Sequence, residues 1–552
     1  MAERKASDLF VECLEAEGVK HVFGIPGEET LDLNASLEDS SITFVPVRHE
    51  QGGAYMADMY GRLTRRAGVC LGTLGPGATN LITGVADAFL DRSPLVALTG
   101  QADLERMHKE SHQHIDVVSM FRPVTKWNVR LYSSRVIPEV VRKAFKVAQA
   151  QKPGPTHIEL PEDVMAELVD AEPLPSRVRI RRPEPSGREL LEAAAVIRGA
   201  ANPVVLAGNG VARVGAAAAL REFARATGIG VAETFMGKGL LDYEDPRALG
   251  TVGLQSRDYG LAGFDDADVV ITVGYDLVEH APKNWNPRRD KRIVSIDTAA
   301  AEVDEHFMTE VELVGDIYHI LSRLAEELRD LHADAPAVRA GSRLNDIVLG
   351  RFEAGRYDDA FPVRPPRALW EIRQALGRED MLISDVGLHK LWIARMFPAH
   401  EPDTVMIANG LAGMGIALPT AIAAKLVHPE RRVVTVNGDG GFLMNAQELE
   451  TAVRLRTAIV NVVWENNQYG SIVWKQEKKF GRHFGTDFAN PDFVRLAESF
   501  GMPAWRIGAV DDFGPTLRRA LDLDVPSLIV LPIDYSLDVA ISEELGTETV
   551  AA

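Results

Sequence analysis

The first apolar positions of the chain, Ala6, Leu9, Phe10, Cys13 and Leu14, recur at intervals of three and four and predict a helix with one buried face. The period then changes. Short apolar runs, HVFGIPG, ITFVPV, GVCLGTLG and PLVALTG, alternate with helix-length stretches up to about residue 165. That alternation marks a mostly parallel α/β sheet. It recurs in NPVVLAGNGV, ADVVITVGY and RIVSID, and again in MLISDVG, RRVVTVNG, AIVNVVW and PSLIVLPID. The expected fold is three successive open, mostly parallel-sheet α/β domains, over 1–165, 190–345 and 362–552. Two proline- and charge-rich stretches read as linkers: EPLPSRVRIRRPEPSG between 166 and 190, and RYDDAFPVRPPRAL near 357–369.

Composition narrows the function classes. With 60 Lys and Arg against 79 Asp and Glu, the net charge of −19 gives no electrostatic footprint for nucleic acid or an anionic membrane. Anionic ligands would need local help from backbone N–H groups, Lys or a metal. The two cysteines, Cys13 and Cys70, lie in apolar runs and read as small core residues. The N-terminus lacks the apolar core of a signal peptide, and no apolar run approaches the roughly 20 residues needed to span a bilayer. A cytoplasmic protein is expected.

The chemistry is densest in RRVVTVNGDGGFLMNAQELETAVRLRTAIVNVVWENNQYG, residues 431–470. It reads as one βαβ unit whose strands are parallel, so the loops after both emerge at the same edge of the sheet, where α/β proteins bind ligands. Asp439 and Asn466 can therefore meet. A carboxylate, an amide oxygen and a loop carbonyl form a hard-oxygen set suited to Mg²⁺ or Ca²⁺. Gly438, Gly440 and Gly441 would let the backbone approach a phosphate at a helix N-terminus. The plainer alternative is turn chemistry alone.

The stretch GDGGFLMNAQELETAV…ENNQYG resembles the thiamin-diphosphate-binding motif. Further segments, FGIPGE, RHEQGGAYMADMYGR, LGTLGPGATNLITGVADAF, SHQHIDVVSMFRPVTKW, KPGPTHIELPEDV and NGLAGMGIALPTAIAAKL, are similar to the acetolactate synthase branch of that family. The resemblance implies a pyrimidine-binding, a central Rossmann-like and a diphosphate-binding domain, in that order. It implies that Asp439, Asn466 and the carbonyl of Gln468 bind Mg²⁺. Gly440 and Gly441 would approach the diphosphate, with Gly387 and His389 on its other side. Ala412 would offer a carbonyl to the aminopyrimidine, and Met414 would bend the cofactor. Glu50, which from its own segment could be only a favourable first-turn charge, would lie against N1′ of the aminopyrimidine and promote removal of the thiazolium C2 proton. Gln113 and Lys126 would lie near the substrate, the plainer alternative for each being a solvated polar loop. His112 and His114 have no third ligand and are not expected to hold a metal.

The implied reaction is decarboxylation of pyruvate on thiamin diphosphate and ligation of the two-carbon unit to a second 2-oxo acid, giving 2-acetolactate. A homo-oligomer follows, with Glu50 and the Mg²⁺ site on different subunits and a dimer of dimers expected. The RFDDR signature of flavin-containing biosynthetic enzymes is missing, and GNGVAR breaks the dinucleotide pattern at Arg213, so FAD is not expected. The alternatives are a decarboxylase releasing aldehyde, a flavin-linked oxidase, a carboligase with another acceptor, or a non-enzymatic scaffold. Ser471, Trp474 and Lys475, with Glu28 and Glu29, depart from the biosynthetic pattern and leave the acceptor open.

Overall fold

The computed structural model describes residues 4–176, 182–254, 257–331 and 336–537. The chain forms two compact units. One comprises Met1–Arg181, Gly410–Glu430 and Phe442–Thr457; the other comprises Arg182–Asn409, Arg431–Gly441 and Ala458–Ala552.

The first unit holds a six-stranded parallel sheet in the order Thr43–Pro46, His21–Gly24, Gly68–Gly72, Leu95–Gln101, Pro155–Pro161, Trp127–Arg130. Gly68–Gly72, Leu95–Gln101 and Pro155–Pro161 are buried at every position, as strands covered on both faces must be. The edge strands Thr43–Pro46 and Trp127–Arg130 are only partly buried. The expected N-terminal helix runs Ala6–Ala16, and its five predicted apolar positions are all buried. Cys13 and Cys70 are buried free thiols. Burial is the chief cause that raises both their pKa values, Cys13 to about 12, so they are inert core residues.

The second unit carries two more parallel six-stranded sheets. One has the order Ala248–Val252, Val231–Thr234, Pro203–Ala207, Val269–Val273, Arg292–Asp297, Val311–Val314. The other has the order Val405–Ile407, Met381–Ser384, Val433–Gly438, Ile459–Glu465, Ser527–Pro532, Ala504–Arg506. One apolar core runs through both, with Trp285, Phe352, Phe397 and Trp464 among its largest buried side chains. Arg395 pairs inside it with Asp258, at 2.6 Å between Nη1 and Oδ1, which satisfies two buried charges at once.

In each sheet the chain steps outward from its first strand, returns, and continues on the other side. The reversal opens a crevice at the carboxyl end of the strands. In the last sheet it falls between Met381–Ser384 and Val433–Gly438.

Two expectations change in detail. Residues 177–181 of the first linker lie outside the described residues. The second linker is shorter than its composition suggests, because Pro365 opens the helix Pro365–Ala375 at a position where proline's missing N–H costs nothing. Segments 410–430 and 442–457, which fall within the expected third domain, belong to the first compact unit. The physical cause is packing: the apolar helix Ala417–Val427 lies against the helix Glu50–Thr64. Among the described residues no helix is long and apolar enough to cross a membrane.

Candidate active site

In the second unit, the loops after three adjacent strands converge at the switch point of the last sheet. Gly387 and His389 follow Met381–Ser384, Asp439 follows Val433–Gly438, and Asn466 follows Ile459–Glu465. Asp439 is buried. Its Oδ2 accepts from the backbone N–H of Asn466 at 2.9 Å, from that of Asn467 at 2.6 Å and from Asn490 Nδ2 at 2.9 Å. Among the described residues its Oδ1 accepts only from Gly440 N, at 2.9 Å. A carboxylate has about four acceptor sites, so Oδ1 keeps a lone pair for a cation. Gln468 is fixed through its side chain to Asp487, at 2.7 Å, which leaves its main-chain carbonyl as the available ligand. Asn467 has φ +58°, the turn that lets two successive N–H groups reach one oxygen.

His389 lies under this crevice. A Cβ on Gly387 would come 2.7 Å from its Cε1, and one on Gly438 3.1 Å, so both glycines are needed for the ring to sit there. Burial is the largest cause that lowers its pKa, to about 3, and among the described residues Nε2 has no hydrogen-bond partner. The imidazole is therefore neutral at physiological pH. A Cβ on Gly440 would meet Tyr469 Cε1 at 2.7 Å, so the strip from Gly438 to Gly441 is backbone without side-chain cover. Asn466 and Gln468, with Leu388, Gly470, Trp474 and Tyr535, wall a cavity of about 430 Å³.

The first unit holds the remaining candidates. Glu50 is the first residue of the helix Glu50–Thr64 and is 6% exposed. Asn80 Nδ2 donates to its Oε2 at 2.9 Å, and a Cβ on Gly77 would lie 3.3 Å from Oε1. Gly77 and Asn80 belong to the helix Pro76–Leu90. Just before that helix, Gly75 (φ +52°) leaves room for Gln113, whose carbonyl would lie 2.6 Å from a Cβ there. The exposed Gln113 and the buried Glu50 thus come to the same helix end. Ala412 has φ +56°, an uncommon conformation for a residue with a Cβ, and Met414 beside it is half-buried. The loop is fixed by Gly410 N donating to Asp91 Oδ1 at 2.6 Å and by Asn445 Nδ2 donating to Gly415 O at 2.9 Å.

Lys126 does not join this group. Its Nζ donates to the carbonyls of Val147 and Ala150 at 2.6 and 2.7 Å, closing the C-terminal end of the helix Ile137–Gln149. Burial, helped by Arg92, brings its pKa down to about 8. His112 is exposed, and His114 Nδ1 meets Gln101 Oε1 at 3.2 Å. Asn80, Asn490 and Glu448 are polar residues beside these candidates that sequence reasoning passed over. Asn80 stands inside the quoted run LGTLGPGATNLITG, but only the fold turns it toward Glu50.

Family models match all three sheets. The thiamine pyrophosphate enzyme N-terminal TPP binding domain matches residues 4–120, the central domain 190–324, and the C-terminal TPP binding domain 385–531. The chain belongs to the thiamine pyrophosphate enzymes. Within this family it aligns almost end to end with acetolactate synthases. It is 35% identical to the acetolactate synthase of Bacillus subtilis (99% of this chain, 96% of the relative) and 37% to the catabolic acetolactate synthase of Raoultella terrigena (96% and 95%). It is 32% identical to the acetolactate synthase isozyme 2 large subunit of Escherichia coli (95% and 94%). The residues fit the family's cofactor: a hard-oxygen set can take a metal, bare glycine backbone beside it leaves room for a diphosphate, and the buried His389 has an Nε2 with no partner among the described residues.

Proposed function

We propose that this thiamine pyrophosphate enzyme condenses two molecules of pyruvate to 2-acetolactate with loss of one CO₂. The observation that carries the reading is the Asp439 carboxylate, anchored through Oδ2 by the Asn466 loop and keeping a lone pair on Oδ1. The acetolactate synthases to which the chain is similar give the reaction its direction. Thiamin diphosphate, when bound, supplies a thiazolium that accepts the electrons left by CO₂ and allows the two-carbon unit to be passed to a second keto carbon.

The protein holds and proton-balances that cofactor. Asp439, the Asn466 side-chain oxygen and the Gln468 carbonyl would hold Mg²⁺, which would neutralise the charge of the diphosphate. Gly440 and Gly441 bring backbone against the diphosphate, with Gly387 and His389 opposite. The Ala412 carbonyl receives the aminopyrimidine and Met414 sets its bend. Glu50, held by Asn80, exchanges a proton at the pyrimidine nitrogen N1′. Gln113 orients substrate at the same helix end, while Lys126 serves the end of the helix Ile137–Gln149 through its bonds to Val147 and Ala150.

The enzyme works without FAD on this reading. In the central sheet the glycine turn is filled by the chain itself: Glu279 accepts from Asn209 N at 3.1 Å, and Cβ atoms on Gly208 and Gly210 would meet Gly274 at 2.5 and 2.6 Å. Burial raises the pKa of Glu279 to about 7, and its carboxylate occupies the N–H end that a pyrophosphate would need. The working form is a cytoplasmic homo-oligomer, a dimer of dimers.

The test is the product distribution from pyruvate with thiamin diphosphate and Mg²⁺ and no added flavin. 2-Acetolactate and CO₂ in equal amounts support the reading. Acetaldehyde as the main product makes the protein a decarboxylase, and a stoichiometric flavin spectrum in the purified protein removes the flavin-free assignment.

A further inference from the structure

We infer that Glu448 is a positioning residue for Glu50, fixing the start of the helix that presents the Glu50 carboxylate. Its own side chain touches neither cofactor nor substrate. This rests on the role proposed for Glu50.

Glu448 is fully buried at the end of the 3₁₀ turn Ala446–Glu448. Its Oε1 accepts from the backbone N–H groups of Arg48 at 3.0 Å and His49 at 3.1 Å, the two residues that precede Glu50. Its Oε2 is held by Thr451 Oγ1 at 2.7 Å. The carboxylate enters because residue 52 is glycine: a Cβ there would come 2.8 Å from Oε1. His49 caps the helix through Nδ1, which accepts from Gln51 N at 3.1 Å. The cap and the residue before it are therefore both pinned to one buried side chain. Arg454, from the same segment, donates to the carbonyl of Pro46 at the end of the preceding strand.

The alternative role, a cap with no bearing on Glu50, differs in what it predicts. Two N–H groups gathered on one carboxyl oxygen fix the backbone just before Glu50, so losing them would shift the Glu50 carboxylate against Asn80. A shift of about 1 Å at a reacting group can cost up to a hundredfold in rate. The same network continues from Glu448 N to Asn445 O, at 3.0 Å, and from Asn445 to Gly415, which closes the loop bearing Ala412 and Met414. One segment thus orients both Glu50 and that loop.

The experiment compares deuterium exchange at C2 of the bound cofactor in holoenzyme carrying Glu448→Ala, Glu448→Gln or Glu50→Gln, with cofactor affinity and melting temperature measured alongside. Glu448→Ala should slow exchange by about tenfold or more while cofactor affinity changes by less than about threefold. Glu448→Gln keeps an oxygen for the two N–H groups and should recover most of the loss. If Glu448→Ala fails to fold, Thr451→Val, which frees Oε2, should slow exchange in the same direction. Wild-type exchange in folded Glu448→Ala, or in Thr451→Val where the alanine variant is unstable, overturns the inference. Wild-type exchange in Glu50→Gln overturns instead the role of Glu50.

Discussion

The main-chain N–H of Asn466 donates to Oδ2 of Asp439 across 2.9 Å, so the loop after one strand is ordered by the acid at the end of its neighbour. Hydrogen bonds to a charged acceptor contribute about 1.5–3 kcal/mol each, and Asp439 receives four. Asp439→Ala should abolish Mg²⁺-dependent cofactor binding in calorimetry and also loosen residues 466–468, seen as faster amide exchange there. Asn466→Ala removes one proposed metal ligand but leaves those main-chain bonds, so it should weaken binding without loosening the loop. Equal amide exchange in the two variants would count against this division of labour.

Glu50→Gln keeps the shape of the side chain and its contact with Asn80 but cannot exchange a proton. Activity with pyruvate should fall by about 10²-fold or more, with cofactor affinity close to wild type. A variant that loses cofactor affinity in parallel with activity would mean that Glu50 acts through folding of its helix.

Much of this site was legible in the sequence because parallel strands place successive loops at one edge. Once Val433–Gly438 and Ile459–Glu465 are recognised as neighbours, Asp439 and Asn466 follow. Short edge strands such as Ala504–Arg506 and Val405–Ile407 carry too little apolar pattern to be read in advance. The polar partners were hidden for a different reason. Asn490 reaches Asp439, and Glu448 reaches Arg48 and His49, across long loops and between distant segments, and no local spacing encodes such contacts. The contact of the helix Ala417–Val427 with the helix Glu50–Thr64 joins segments more than 350 positions apart, and likewise has no local signature.

Gly413 lies directly against the Tyr55 hydroxyl, with no room for a Cβ. Gly413→Ala should displace the loop that carries Ala412 and Met414 and weaken cofactor binding about tenfold or more, in line with the 1–3 kcal/mol typical of overpacking. Tyr55→Phe removes the hydroxyl that collides. The double variant should therefore bind better than Gly413→Ala alone, although Tyr55→Phe also gives up the 3.1 Å bond from Gln51. Additive losses would place the strain elsewhere.

Burial is the largest cause that holds the pKa values of His157, His280 and His389 down at about 3. The unfolded chain takes up these protons near pH 6.5, so between about pH 6.5 and 3 the unfolded state binds more protons and stability falls as pH falls. Glu233 and Glu279, raised to about 7 chiefly by burial, act in the opposite sense. They stabilise the folded state as pH falls through 7, until the unfolded carboxyls are also protonated near pH 4.5. Acid unfolding should therefore steepen below about pH 4.5. His157, stacked on Phe121 at 4.1 Å and bonded to Thr99, is far from the proposed chemistry in sequence and fully buried. His157→Gln should reduce the pH slope of denaturant stability in this range by at most about 1.4 kcal/mol per pH unit. An unchanged slope would mean that the ring is not neutral in the folded protein.

The helix Gly470–Phe480 begins just after the Asn466–Gln468 loop and puts Gly470, Val473 and Trp474 on the wall of the 430 Å³ cavity that also includes Asn466 and Gln468. Ser471 is half-buried and Lys475 exposed, so Trp474 is the large side chain of this stretch that limits the cavity. If the acceptor 2-oxo acid enters here, Trp474→Ala should favour 2-oxobutyrate over pyruvate. One methylene in an apolar pocket carries about 1–3 kcal/mol of discrimination, so a shift of about tenfold in the ratio of the two condensation products is expected at equal acceptor concentrations. The rate of CO₂ release should change less if the cavity takes the acceptor alone. Loss of CO₂ release with an unchanged product ratio would assign the cavity to the donor, and Trp474 to its orientation.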